Sequence, residues 1–166
     1  MRVTTVQWDA RAVAPAWDAV ARANADLVVL PELCFSPWLP DQRWPDEDAW
    51  SAAAVEHAAA VGRLDQLGAR VVVGSRPVVH RGRRYNESFV WADGELLEPA
   101  HRKAYLPDEP GYWEASWYDR GPPTFEPVDT PLGRIGILLC TELWFLQHAR
   151  TLGRSGVDFL LSLIHI

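Results

Sequence analysis

Three residue types in this chain, each at the end of an apolar run, could carry chemistry together. Cys140 closes RIGILLC and precedes TELWFLQHAR, a segment with helical spacing. A thiol at a strand-to-helix junction lies near a helix N-terminus, which lowers its pKa and offers free backbone N–H groups to a developing oxyanion. The placement is similar to a nucleophile elbow, although the glycines of that motif are absent around Cys140. A buried core cysteine is the competing reading, since free cysteine is among the most buried residue types. Glu32 follows LVVLP directly, so its carboxylate stands at the end of a buried strand, where desolvation raises a carboxylate toward a useful general-base range. A helix cap or a solvated loop position is its bland alternative. Lys103, in HRKAYLP, ends a strand-like stretch, with Arg102 directed to the opposite face. Most lysines are surface charges, but a thiol, a base and a cation converging on one edge would suit acyl transfer. No histidine is placed to pair with Cys140: His148 lies two helical turns on, and His57, His80, His101 and His165 fall in unrelated patterns.

The rest of the chain limits what those residues can serve. It has 166 residues, 48% hydrophobic and 23% charged, with 9 tryptophans, which describes one packed domain and excludes disorder as the main state. Sixteen Lys and Arg against 22 Asp and Glu leave a net charge of -6, which repels a phosphate backbone and disfavours nucleic acid as a partner. No apolar run approaches the ~20 residues of a membrane span, and MRVTTVQWDA lacks the apolar core of a secretory leader. No membrane association and a cytoplasmic location are the expectations. Two cysteines, Cys34 and Cys140, lie far apart with no ligand-like spacing to the histidines, so neither a disulfide framework nor a metal site is expected. Cys34 reads as packing.

Element signals then place these residues. Residues 3–8 and 27–30 read as strands flanking a helix over 13–23, with Pro15 in its first turn. Asp46, Glu47 and Asp48 open an alanine-rich helix running to about Leu67, closed by Gly68. Strands at 71–80, 85–92 and 95–105, separated by RGRR and Asp93-Gly94, predict an antiparallel meander. Residues 106–129, dense in Pro, Gly and aromatics, read as a long loop of the kind that tends to carry function. A strand over 134–139, a helix from Glu142 to about Arg154 and a strand in VDFLLSL follow. The fold class is therefore α/β (α+β layered), with helices covering sheets. The chain stops while its last buried-type strand is still running, so it is expected to be the N-terminal part of a domain, with an apolar sheet face exposed. The ending SLIHI carries no turn chemistry, and a non-native tail is one reading of it.

Three segments, LVVLPELCF, HRKAYLPDEPGYWEASWYDRG and GRIGILLCTELWF, resemble in order and spacing the signature regions of the nitrilase-type carbon–nitrogen hydrolases. VTTVQW, with Gln7, and YNESFVWADG support the resemblance, which covers the chain to about Leu161. It implies an α-β-β-α sandwich, incomplete here at the C-terminus, with residues 1–166 forming the N-terminal part of a single carbon–nitrogen hydrolase domain. By the same resemblance Glu32 is the general base, Lys103 the cation for the tetrahedral intermediate and Cys140 the nucleophile. A second glutamate maps to Glu114, with Glu109 as the nearer competitor; PDxPGYxE resembles the loop of N-carbamoylputrescine amidases. The Thr141 backbone N–H, Glu142, Trp144 and Trp113 are the candidates for contacts with substrate or oxyanion.

The implied activity is hydrolysis of a non-peptide C–N bond, in a small amide or N-carbamoyl amine, through a thioester and without a cofactor. A nitrilase acting on R–C≡N, or a catalytically silent homologue, is the alternative, and the full-length protein is expected to be a homo-oligomer. The sequence departs from common family patterns in CFSPW after PEL and in TELWF after the cysteine. Trp38, Trp113, Trp117 and Trp144 would wall an aromatic pocket or serve packing.

Overall fold

The computed structural model describes residues 1–7 and 13–165, and in it two sheets lie face to face between layers of helix. Strand β1 (Val3–Thr5), helix α1 (Val13–Arg22) and strand β2 (Leu27–Val29) form a parallel crossover, and β2 pairs in parallel with β3 (Val71–His80). The expected last residue of the first strand, Trp8, lies outside the described residues. Helix α2 (Glu47–Val61) stands between β2 and β3 in sequence, and β4 (Arg83–Ala92) and β5 (Glu95–Leu97) complete an antiparallel meander. The second sheet runs β6 (Val128–Thr130), β7 (Gly133–Leu139), β8 (Phe159–Leu163), with α3 (Glu114–Trp117) before it and α4 (Leu146–Arg154) joining β7 to β8.

Residue alternation explains the layering. On β2, Leu27 and Val29 point to the second sheet, where they meet Ile135, Ile137, Leu139 and Leu163 together with Val71, Val73 and Val90. Val28 and Leu30 point the other way, into a cluster with Trp17 and Val20 of α1, Leu64, Leu67 and Phe89. Leu138 faces outward from the second sheet onto Leu152 and Ala149 of α4. The result is the expected α-β-β-α sandwich.

The larger differences from the sequence reading each have a physical reason. The alanine-rich helix begins where expected, with Asp46 Oδ1 accepting the Ala49 N–H at 2.8 Å, but stops at Gly62; a 3-10 turn over Leu64–Leu67 follows, and Gly68 ends that turn. The break lets both Leu64 and Leu67 reach the core. The third meander strand ends at Leu97 instead of 105, because Pro99 has no N–H to donate. The chain rejoins β4 further on, with Ser88 N–H on the His101 carbonyl at 2.8 Å and Lys103 N–H on the Asn86 carbonyl at 2.9 Å. The long loop contains α3 and β6, both too short to imprint a period on the sequence. The last helix starts at Leu146, not Glu142; residues Cys140–Trp144 form a 3-10 turn, and Leu143 and Leu146 are exposed instead of buried.

Candidate active site

Glu32 leaves the end of β2 on a turn held from two sides. The Leu33 N–H donates to Ser75 Oγ at 2.9 Å, and the Phe35 N–H reaches Nε2 of His57, on α2, at 3.4 Å. His57 Nδ1 lies 2.8 Å from the Ala53 carbonyl, so this buried ring ties the turn to the helix; burial lowers its pKa from 6.5 to about 4. Glu32 itself is fully buried.

Lys103 arrives beside it on the segment that rejoins β4. That segment is flanked on its other side by residue 121, whose N–H donates to the Lys103 carbonyl at 2.9 Å. Only glycine fits there, because a side chain would overlap the Arg102 backbone. Lys103 is 1% exposed, and its Nζ donates to Glu32 Oε1 and Glu114 Oε1, each at 2.7 Å. Glu114 comes from the first position of α3 and is likewise buried. Burial alone would strip the Lys103 proton, but the Glu32 and Glu114 carboxylates outweigh it and hold the ammonium well above its ordinary value. Glu114 moves in the opposite sense to most carboxylates. Burial first, and the Glu32 charge second, raise it from 4.5 to about 7, with Lys103 opposing. Arg102 faces away, its Nε donating to Glu87 at 2.9 Å.

Cys140 follows β7 with a φ of 49°, a left-handed conformation that non-glycine residues adopt only under constraint. The turn thus has the strained backbone of an elbow without its glycines. It does not have the electrostatics expected of a helix N-terminus, because α4 begins only at Leu146. Burial and the Glu32 carboxylate raise the thiol from 9.0 to about 11, while Lys103 and the Thr141 N–H, hydrogen-bonded to the sulfur, pull the other way. The resting group is a thiol, contrary to the lowered pKa inferred from the sequence.

Glu142 does not face a ligand space. It is fully buried; Oε1 accepts the Ala104 N–H at 2.7 Å, and Oε2 accepts the Leu139 N–H at 2.8 Å and lies 2.7 Å from His101 Nε2. Its work is to bind the Cys140 turn to the Lys103 segment, aided by Thr141 Oγ1, which donates to the Tyr105 carbonyl at 2.9 Å. Thr141 and the highly exposed Trp144 line a cavity of about 370 Å³ with Tyr105, Asp108, Arg120 and Phe145. Glu109 also lines it, so of the two competing glutamates it is Glu114 that reaches Lys103. Trp113 is elsewhere, stacked under Arg43 at 4.7 Å; Trp117 is core, and Trp38 stacks on His165 at 4.1 Å. A wall of four tryptophans is therefore not formed. Cys34 packs in the helix-side core.

Sequence reasoning passed over Asn86, whose Nδ2 donates to Glu32 Oε1 at 2.8 Å, and the pair His101–Glu142. A buried amide on the strand face that continues through Ser88, Val90 and Ala92 was the available signal for the first.

Comparison with known proteins identifies the family. The carbon-nitrogen hydrolase family model matches residues 4–165. Omega-amidase, chloroplastic, of Arabidopsis thaliana is 34% identical over 152 residues, 86% of this chain and 41% of the relative. N-carbamoylputrescine amidase of the same plant is 34% identical over 77 residues, 46% of this chain and 25% of the relative. The crystal structure of a carbon-nitrogen hydrolase from Helicobacter pylori G27 superposes with a TM-score of 0.81 at 20% identity, covering 100% of this chain and 60% of that one. The matched region thus spans less than half of either curated relative, and the solved structure extends well past it. With its sandwich fold and a match over nearly its whole length, this chain belongs to the carbon-nitrogen hydrolase family.

Proposed function

We propose that the chain carries the catalytic centre of an amidase that hydrolyses a non-peptide C–N bond, in a small carboxamide or N-carbamoyl amine, through Cys140. The observation that carries the reading is the buried Lys103 ammonium bridging Glu32 and Glu114 at 2.7 Å each, within the electrostatic reach of a thiol on a strained turn. Relatives named as amidases support the substrate class, and a cavity of about 370 Å³ beside Thr141 suits a small molecule.

The protonation states dictate the order of events. A thiol at about 11 is almost wholly protonated at neutral pH, so attack on the carbonyl carbon requires a base to take its proton as the S–C bond forms. Glu32 takes that role. The carbonyl oxygen gains charge and meets the N–H of Lys103 not engaged by the two carboxylates, together with the Thr141 N–H; one such donor is typically worth ~3 kcal/mol of barrier. Collapse breaks the C–N bond, and Glu32 returns the proton to the departing nitrogen. Water then adds to the thioester, Glu32 again receives a proton, and the acid and the Cys140 thiol are released. Glu114 holds Lys103 in place and takes no proton from the substrate in this scheme.

Ammonia release from a panel of aliphatic amides, N-carbamoyl amines and nitriles tests the reading, comparing the chain with Cys140→Ala and checking both for folding. Release from amides that disappears in Cys140→Ala is the expected result. Turnover of nitriles alone would establish a nitrilase, and silence from the folded chain would favour a catalytically inactive homologue.

A further inference from the structure

We infer that Asn86 is a positioning residue of this centre, its side chain fixing the Glu32 carboxylate while its main chain fixes the segment that carries Lys103. The inference rests on the reading of Glu32 as the base. Asn86 lies on β4, 1% exposed, with Nδ2 2.8 Å from Glu32 Oε1 and its carbonyl 2.9 Å from the Lys103 N–H. Glu32 Oε1 therefore receives two donors, Asn86 Nδ2 and Lys103 Nζ at 2.7 Å. Two donors on one oxygen fix the plane of the carboxylate and direct its other oxygen, Oε2, to proton exchange with the thiol. Among the described residues, Oε2 meets a single main-chain N–H, that of His165, at 3.3 Å.

The residue type is specific to the task. An aspartate would add a third carboxylate beside Glu32 and Glu114, and a lysine or arginine would compete with Lys103 for the same oxygen. An amide gives a donor without charge. It also has a cost that packing does not explain: Asn86 Oδ1 is buried and has no hydrogen-bond partner among the described residues. An unpaired buried carbonyl is destabilising, so a residue serving packing alone would be apolar. The next residue, Glu87, points to the other face and pairs with Arg76 and Arg102, which leaves Asn86 as the inward polar partner at this level of β4.

The titratable groups around Glu32 are Lys103, Glu114, Cys140, Tyr118 and His165, so the test reads Glu32 directly. The full chain, labelled with 13C at glutamate carboxyls and assigned with Glu32→Gln, is titrated by NMR with and without Asn86→Asp. The Glu32 midpoint is expected to rise by about one pH unit or more in Asn86→Asp, because a charge replaces a donor. An unchanged midpoint in the folded variant overturns the inference. Where Asn86→Asp does not fold, Asn86→Ser replaces it, with a smaller rise expected and no rise overturning. Ammonia release then separates this inference from the proposed activity. In an active chain, kcat of Asn86→Asp falls with KM held, and the acid limb of its pH profile moves to higher pH together with the Glu32 midpoint, so that activity recovers toward alkaline pH. A loss equal at every pH is a folding defect and overturns the positioning role. If the wild-type chain releases no ammonia, the proposed activity fails, and the NMR midpoint still decides whether Asn86 holds Glu32.

Discussion

A lysine ammonium in dry protein is stable only while its counter-charges remain, and the converse holds for the carboxylates. Replacing Lys103 with Met leaves Glu32 and Glu114 buried together without a cation. Removing one partner of a buried pair typically costs ~3–5 kcal/mol, so Lys103→Met is expected to lower the urea midpoint sharply or to leave the chain unfolded. Glu114 gives a signed pH dependence. Its folded value of about 7 lies above the ordinary 4.5, so between those limits the folded state keeps a proton that the unfolded chain has released. Stability from this group is complete below 4.5 and is lost as pH rises to about 7. Glu114→Gln is expected to flatten that decline in thermal melts run from pH 4.5 to 8, and an unchanged slope would assign it to another group. At this scale the sequence was informative where residue type met a strand end, as at Glu32 and Cys140, and Lys103 reaches Glu32 although the strand expected to carry it stops at Leu97. It was silent on Asn86 and misleading on Glu142, because a polar side chain inside a sandwich acts through partners distant in sequence: Glu32 is 54 residues from Asn86, and His101 is 41 from Glu142.

Elements position the site more by interruption than by regularity. The chain leaves β4 at the Asp93-Gly94 hairpin, loses its pairing at Pro99 and returns to place Lys103 against Asn86. Residue 121 presses on the far side of that return. Gly121→Ala is therefore expected to push the Lys103 segment away from β4 and to lower ammonia release by tenfold or more, with a smaller loss in thermal stability; equal activity would show that the segment tolerates the displacement. Hydrophobic alternation made the strands legible, since β2 and β7 are buried on both faces and flanked by turn chemistry. The helix expected from Glu142 failed because its apolar spacing was read without the Glu142 carboxylate, which folds back onto the Leu139 N–H and tightens residues 140–144 into a 3-10 turn. Leu143 and Leu146 fit a helical period but are left in solvent.

Across the whole molecule, five strands face three, and among the described residues β8 pairs only with β7. Phe159 and Leu161 are half-buried and Leu160 is 42% exposed on this edge. Apolar edge strands invite pairing with another chain. Sedimentation across a concentration series is expected to show association of the chain, weakened by Leu160→Lys; a monomer at every concentration would show that the edge is protected. The layered architecture was readable from the order of strands and helices, whereas the division into two sheets required contacts that no local pattern contains. Glu142 ties the end of β7 to the Lys103 segment, holding the Leu139 N–H with one oxygen and the Ala104 N–H with the other. The Cys140 turn and the Lys103 segment are consequently tied through one buried carboxylate. The rim of the cavity, by contrast, is built of residues such as Asp108, Arg120 and Trp144, so its shape can change by substitution there without disturbing the hydrogen bonds that hold the Lys103 segment to the Cys140 turn.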